Sequence, residues 1–238
     1  MAQGSFQPFF HTTPPEALGE LVQQRVTIGD LAFNLTYPGS ADALLDHPST
    51  QTAFDADQYL PYWAELWPAA LMLSRALVQE TWPPDWTALE IGCGVGLPGI
   101  TALSLGMRVI FSDYDATALQ FAARNAEANG FSRFETLPMD WRCPPPDLRV
   151  PLILAADVIY EERHLTPLVQ LIQSALTPDG MCWLSDPDRP MRKAFQRALT
   201  AADLTVHAEA ASALGSEGQE VTGQLYRIRR HSGSFRAG

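Results

Sequence analysis

The segment ALEIGCGVGLPGITAL constrains this chain more than any other. An apolar run ends at Ile91, glycines follow at Gly92, Gly94, Gly96 and Gly99, and an apolar helical pattern begins near Pro98. A strand that passes through a glycine turn into a helix is the opening unit of an open α/β sheet. There the backbone approaches a ligand closely and the helix N-terminus presents free N–H groups. Proline fits the first helical turn, because its missing N–H would have had no partner at that position. On the next strand, RVIFSD, Asp113 stands at the strand end, at the sequence distance where a carboxylate accepts the hydroxyl protons of a ribose. Together these features point to an adenosine-containing cofactor.

Spacing alone leaves two patterns open. Gly94, Gly96 and Gly99 satisfy the GxGxxG of a dinucleotide site, whereas Gly92, Gly94 and Gly96 satisfy GxGxG. A strand ending at Ile91 starts the turn at Gly92, in register with the shorter pattern. Glu90, just before it, can reach a ligand ammonium, which S-adenosyl-L-methionine carries and NAD does not. The shorter pattern therefore favours S-adenosyl-L-methionine.

The surrounding chain keeps the same rhythm. RVTIGDLAFNLTYP alternates apolar and polar residues around Gly29-Asp30 and predicts a β-hairpin. A loop with Pro38, Gly39 and Pro48 follows, and then apolar residues at Leu66, Ala70, Leu73 and Leu77 predict a helix near Ala64 to Gln79. Pro83 and Pro84 break it. From there strands and helices alternate, with strands at TALEI, RVIFSD, Phe134 to Leu137, PLILAAD and MCWLSD, and helices at PGITALSL, ATALQFAARNAEAN, His164 to Leu176 and RKAFQRALTAAD. TVHAEAA and GQLYRIRR are two weaker strand candidates. The pattern predicts an α/β fold: a doubly wound, mostly parallel seven-stranded sheet with an N-terminal β-hairpin and helix. We divide the chain into an extension over 1–58, a catalytic domain over 59–230 and a flexible tail over 231–238.

Composition narrows the function classes. Sixteen basic against 27 acidic side chains give a formal net charge of −11, which phosphate backbones repel, so no nucleic-acid partner is expected. No apolar run approaches the ~20 residues of a membrane-spanning helix, and MAQGSFQPFF lacks the layout of a signal peptide. The expectation is a cytoplasmic protein with no membrane partner. Cys93, Cys143 and Cys182 form no CxxC pair, so neither a disulfide framework nor a metal site is expected. Lys193 is the only lysine, which excludes a phosphate-loop GK[ST] and the YxxxK pair of short-chain dehydrogenases.

Between Tyr59 and Arg189 the chain resembles the seven-β-strand methyltransferases, and within them the small protein-lysine methyltransferases. The resemblance rests on YWAELWPAALMLSRAL, LEIGCGVGLPGI, SDYD, NAEANG, MDW at Asp140-Trp141 and DVIY from Asp157 to Tyr160. YWAELWP with SDPDRP is most similar to the enzymes that modify the electron transfer flavoprotein β subunit and to their bacterial relatives. GCGVGLPG looks more like the branches that modify chaperones and elongation factors. The resemblance implies S-adenosyl-L-methionine as cofactor, with Glu90, Gly92 and Gly94 along its methionine part and Asp113 on the ribose. It further implies Asp140 on the adenine amino group, Trp141 against the purine and Trp67, on the helix before the sheet, closing over the cofactor. Trp63 stays ambiguous, and Trp82, Trp86 and Trp183 are assigned to packing.

PLILAAD should bring Asp157 and Tyr160 out at the carboxyl end of its strand, where open α/β sheets hold their ligands. A lysine amine, with a reference pKa of ~10.4, must lose a proton before it attacks a methyl group. Asp157 can orient that amine, and Tyr160 can shape a narrow channel for its side chain. DVIY also departs from the NPPY or DPPY of base and amide methylation. Glu161, Glu162 and His164 read as a solvated helix start, and SDPDRP as a loop that borders the substrate channel or braces its own turn. The expected activity is an S-adenosyl-L-methionine-dependent N-methyltransferase acting on a lysine of another protein. The alternatives are a small-molecule amine or heterocycle as acceptor, a non-catalytic cofactor-binding module and a dinucleotide oxidoreductase.

Overall fold

The computed structural model describes residues 10–231. Apart from His231, the expected tail lies outside the described residues. A hairpin, β1 (Leu21–Ile28) and β2 (Leu31–Pro38), is followed by two helices, α1 (Ala41–Leu45) and α2 (Pro48–Asp57). A 3-10 turn at Tyr62–Ala64 leads into α3 (Pro68–Leu77). The alternating part then runs β3 (Thr87–Ile91), α4 (Leu97–Ser104), β4 (Arg108–Asp113), α5 (Ala116–Ala128), β5 (Phe134–Pro138), β6 (Val150–Ala156), α6 (Glu162–Ala175), β7 (Leu176–Pro187), α7 (Arg192–Ala201), β8 (Leu204–Leu214) and β9 (Glu220–Arg230).

The seven-stranded sheet has the order β5-β4-β3-β6-β7-β9-β8. Pairing is parallel from β5 to β7, and β9 runs antiparallel to both β7 and β8. The chain winds outward from β3 to β5, then crosses back to lay β6 on the other side of β3. That reversal opens a crevice at the carboxyl ends of β3 and β6, where ligands of such sheets bind. The central strands are buried on both faces, so their sequences read as apolar runs rather than alternations. Successive residues nonetheless feed two cores. Ala88, Val109, Leu152 and Leu154 pack with α3, α4 and the hairpin, while Leu89, Ile91, Ile153 and Ala155 pack with α6 and α7.

The NAEAN segment explains how the hairpin is attached. Asn125 Oδ1 accepts the Thr36 N–H at 2.8 Å, and its amide donates to Thr36 O at 3.1 Å and to Val95 O at 3.0 Å. One turn later, Asn129 makes the same paired exchange with the backbone of Asn34. Two side-chain amides thus satisfy the open edge of β2, and Asn125 links it to the glycine turn.

The helix expected over Ala64 to Gln79 begins only at Pro68. Proline disfavours helical geometry in the residue before it, and Trp67 sits at φ −75°, ψ 146° as the N-cap. Trp67 therefore stands at the mouth of α3, not on it. The expected loop between Pro38 and Pro48 holds α1, and α2 follows from Pro48. Ser40 caps the first, accepting from the Ala43 N–H, and Pro48 opens the second. α2, PSTQTAFDAD, has no apolar stripe to betray it. The two weak strand candidates extend to a paired ribbon in continuous register from Leu204↔Arg230 to Leu214↔Glu220. Among the described residues, no helix is long and apolar enough to cross a membrane, and no cluster of His, Cys, Asp and Glu could hold a metal ion.

Candidate active site

β3 delivers Glu90 and then the glycine turn. The Glu90 side chain is 2% exposed, and its Oε2 accepts the Gly99 N–H from the first turn of α4 at 3.0 Å. Burial, with Asp113 nearby, pushes its carboxyl well above the ordinary range, and the Gly99 N–H partly offsets this. Gly99 has no room for a side chain, because a Cβ there would overlap Glu90 Oε2 and the Phe111 ring. Gly99→Ala is therefore expected to cost about 1–3 kcal/mol by overpacking, to be read from a denaturant titration. Unchanged stability would show that α4 does not sit against Glu90 in this way.

β4 delivers Asp113, which is buried. Its Oδ2 accepts the Gly94 N–H at 2.9 Å and its Oδ1 the Asp115 N–H at 3.0 Å. Each oxygen keeps a lone pair for a further donor. Burial pushes this carboxyl up to about 6, against the lowering effect of its backbone donors. Gly94 lies at φ +50°, and a Cβ on it would come within 3.2 Å of the Trp63 carbonyl oxygen. Trp63, ambiguous in sequence, is buried against Phe121 and forms the back of this turn.

After β5, Asp140 is 4% exposed and Arg142 clasps it. Arg142 Nε donates to both carboxylate oxygens at 2.9 Å, and its guanidinium also donates to Asp57 Oδ1 and Oδ2 at 3.0 and 2.8 Å. Tyr114 adds a hydroxyl to Asp57, and Arg163 binds the Asp57 carbonyl. Arg142 holds the Asp57 carboxyl below the usual carboxylate range. The end of α2 is thereby tied across the crevice. Sequence reasoning missed Asp57, Arg142 and Arg163, because their roles depend on a helix that has no amphipathic signature.

β6 delivers Asp157 and Tyr160. Asp157 adopts φ +59°, and its N–H donates to Ser185 O at 2.9 Å. Its Oδ1 lies 2.6 Å from Arg189 Nη1, and its Oδ2 has no hydrogen-bond partner among the described residues. Burial raises its carboxyl and Arg189 opposes the shift. The Tyr160 ring meets Tyr62 at 5.5 Å and His164 at 5.4 Å, both edge-on, and burial raises its hydroxyl. His164 also meets Trp141 edge-on at 5.5 Å. It is half-buried, and burial lowers its pKa, so it belongs to the site wall and not to a solvated helix start. Glu161 pairs with Arg163 beside it, and Glu162 is exposed as expected.

All nine residues singled out in the sequence line one cleft. Glu90, Gly92, Gly94 and Asp113 share it with Asp140 and Trp141 on one side and with Asp157, Tyr160 and Trp67 on the other. Trp67 donates its indole N–H to Tyr62 O at 2.7 Å. Trp82 stacks edge-on against Trp183 at 5.0 Å and lies near Trp86, outside the cleft lining.

Comparison with known proteins agrees with this geometry. A structure of ribosomal protein L11 methylase from Lactobacillus delbrueckii subsp. bulgaricus superposes with a TM-score of 0.54 at 21% identity, covering 67% of this chain and 77% of that one. TrmN from Thermus thermophilus gives 0.55 at 20% identity, covering 68% and 48%. Both show the fold. In sequence, the chain is 34% identical over 103 residues to a histidine protein methyltransferase 1 homolog of Dictyostelium discoideum, covering 41% of this chain and 33% of the relative. It is 30% identical over 118 residues to the human histone-arginine methyltransferase METTL23, covering 45% and 60%. The chain thus spans between a third and about 60% of the length of these curated relatives. Residues 59–200, more than half of the chain, match the family described as lysine methyltransferase. With the sheet order, the glycine turn and the paired strand-end carboxylates already in place, that match identifies the chain as a member of the lysine methyltransferase family of seven-stranded, S-adenosyl-L-methionine-dependent proteins.

Proposed function

We propose that the chain is an S-adenosyl-L-methionine-dependent N-methyltransferase whose acceptor is a lysine side chain of another protein. The observation that best supports this reading is the placement of Asp113 and Asp157 at the ends of β4 and β6, flanking the glycine turn of β3 in one cleft. The residues present suit the cofactor. Asp113 is a buried carboxylate with a free lone pair on each oxygen, which matches a vicinal diol. In this reading Glu90, Gly92 and Gly94 hold the amino-acid portion, Trp141 lies against the purine and Trp67 closes the other side. Asp140 receives the adenine amino group on Oδ2, which it then shares with Arg142. We read residues 59–230 as the catalytic domain and 1–58 as an extension whose end, through Asp57, borders the cleft.

When bound, the cofactor supplies an already activated methyl group. The protein's task is then alignment and exclusion of water. The Asp157 carboxylate accepts a hydrogen bond from the acceptor amine, and Tyr160 with Tyr62 forms the wall along which the acceptor chain enters. Tyr62 and Glu65 are exposed at the rim, which suits a long side chain reaching in from another macromolecule. The histidine protein methyltransferase 1 homolog, METTL23 and the ribosomal protein L11 methyltransferases carry names that specify proteins as acceptors, and YWAELWP and SDPDRP favour lysine among the possible side chains. A cytoplasmic setting is part of the same reading.

Incubation with labelled cofactor and a fractionated lysate, followed by peptide mass spectrometry, tests the acceptor. Methyl groups on lysine are expected. Label confined to small molecules, to arginine or to histidine would overturn the lysine assignment.

Cofactor binding should also depend on pH. Asp113 must be ionised to accept both ribose hydroxyls, and its carboxyl titrates at about 6. Affinity for S-adenosylhomocysteine should be flat above neutrality and fall about tenfold by one unit below that value. The sign is opposite for the ligand-free fold. Because burial raises this carboxyl, the folded state binds the extra proton, and its contribution to stability declines as pH rises from the unfolded value of 3.8 through about 6. Calorimetric titrations between pH 5 and pH 8, a range spanning about one unit or more on either side, would show both trends. An affinity independent of pH would remove Asp113 from the ribose.

A further inference from the structure

We infer that Arg189 is a positioning residue for the acceptor: it holds Asp157 from behind and offsets its charge, so that a lysine ammonium in the cleft gives up its proton more readily. This role rests on the lysine reading above. Arg189 lies between β7 and α7 and is not part of the cleft lining. Its Nη1 is 2.6 Å from Asp157 Oδ1 and 3.8 Å from Asp186 Oδ1. The Asp157 side chain is 7% exposed and that of Asp186 is 3% exposed, so two desolvated carboxylates share one guanidinium.

The direction of Asp157 is fixed. Its left-handed backbone is unfavourable for a residue with a Cβ and is held by the bond to Ser185 O. With Oδ1 engaged by Arg189, Oδ2 is buried and has no hydrogen-bond partner among the described residues. The remaining charged and titratable groups around this centre are accounted for. Asp188 pairs with Arg192 at the start of α7, and Tyr226 approaches from β9 beside Asp186. Glu161 pairs with Arg163 at the rim, while Tyr160, His164, Glu90 and Asp113 line the cleft itself.

An unbalanced Asp157 carboxylate would trap a lysine as its ammonium, which has no lone pair to offer, whereas burial pushes the Asp186 carboxyl up to about 7 and keeps it out of the cleft lining. A nearby charge moves a pKa by about 1–3 units, and the Arg189 cation moves that of the acceptor downward. The acceptor nitrogen then loses one proton to solvent. Its freed lone pair forms the N–CH₃ bond as the S–CH₃ bond breaks, the bonding pair stays on sulfur, and the positive charge passes from sulfur to nitrogen. An arginine acceptor gains nothing from this arrangement, since its guanidinium keeps its proton at any working pH.

The test uses Nα-acetyl-L-lysine N-methylamide, ¹³C-labelled at Cε, bound to the full chain saturated with S-adenosylhomocysteine. The Cε shift is followed against pH by NMR for the wild type, Arg189→Gln and Arg189→Lys. In the wild type the bound amine should titrate below its free value. In Arg189→Gln its pKa should rise by about one to three units, and Arg189→Lys, which keeps the charge, should restore the wild-type curve. Should Arg189→Gln fail to fold, Arg189→Lys against wild type still decides, because a purely structural role would displace its curve or abolish probe binding. A bound pKa at or above the free value, or one indifferent to residue 189, overturns the role of Arg189 alone. Failure of the probe to bind at any pH, while S-adenosylhomocysteine still binds, overturns the lysine reading on which the role depends.

Discussion

Replacing Asp157 with asparagine should lower methyl transfer by about 10²-fold, the scale on which loss of a reactant's alignment costs rate, and leave S-adenosylhomocysteine affinity unchanged. Asparagine is the informative choice because Asp157 sits at φ +59°, a conformation that Asn tolerates and most other side chains do not. The substitution keeps the shape of the residue and the Ser185 contact of its backbone. It removes the negative charge that pairs with Arg189 and halves the acceptor capacity facing the amine. Single-turnover rates with the identified acceptor, alongside calorimetric affinity for the cofactor product, separate the two effects. Transfer at the wild-type rate would remove Asp157 from the chemistry, and parallel loss of transfer and cofactor affinity would make it a structural residue of the turn.

Asp113→Ala should produce the opposite split. The methyl group of alanine accepts nothing, so the Gly94 and Asp115 N–H groups lose their partners and the ribose loses its acceptor. Hydrogen bonds to a charged group contribute about 1.5–3 kcal/mol each, and two lost to the ribose correspond to about 10²–10⁴-fold in affinity. Part of the fold's stability goes as well, because a buried donor left unpaired costs about 1–3 kcal/mol. Calorimetry should therefore find cofactor binding severely weakened, with a lower melting temperature. Affinity close to wild type would mean that the ribose lies elsewhere.

The two variants probe features of unequal legibility. The placement of the glycine turn, Glu90 and Asp113 could be read because it is local. A strand, a turn and a helix N-terminus occur in that order along the chain, and the next parallel strand must end beside them. DVIY and MDW were legible for the same reason, as short segments at the ends of strands whose order follows from the alternation. The tie across the crevice was not. Asp57 sits at the end of α2, whose residues form no apolar stripe, and its pairing with Arg142 joins segments far apart in sequence. The α3 boundary failed for a different reason. Apolar periodicity runs straight through Leu66, and only the effect of Pro68 on its predecessor moves the helix start and leaves Trp67 at the mouth.

SDPDRP illustrates a partial reading. Its carboxylates and arginine look like a local brace, and Arg192 does pair with Asp188 across one helical turn. Arg189, however, turns toward Asp157 on the neighbouring strand. Adjacent parallel strands β6 and β7 place Ala156 opposite Ser185, which brings the residues following each into contact. Strand register is a tertiary property, and nothing within the six residues specifies it.

A structure of the chain with S-adenosylhomocysteine bound would test the site most directly. Both ribose hydroxyls are expected within hydrogen-bonding distance of the Asp113 carboxylate, the purine against Trp141, and the sulfur facing the Asp157 carboxylate across a gap that an amine can fill. The ligand seated away from the ends of β3 and β4, or a sulfur screened from Asp157, would contradict this arrangement.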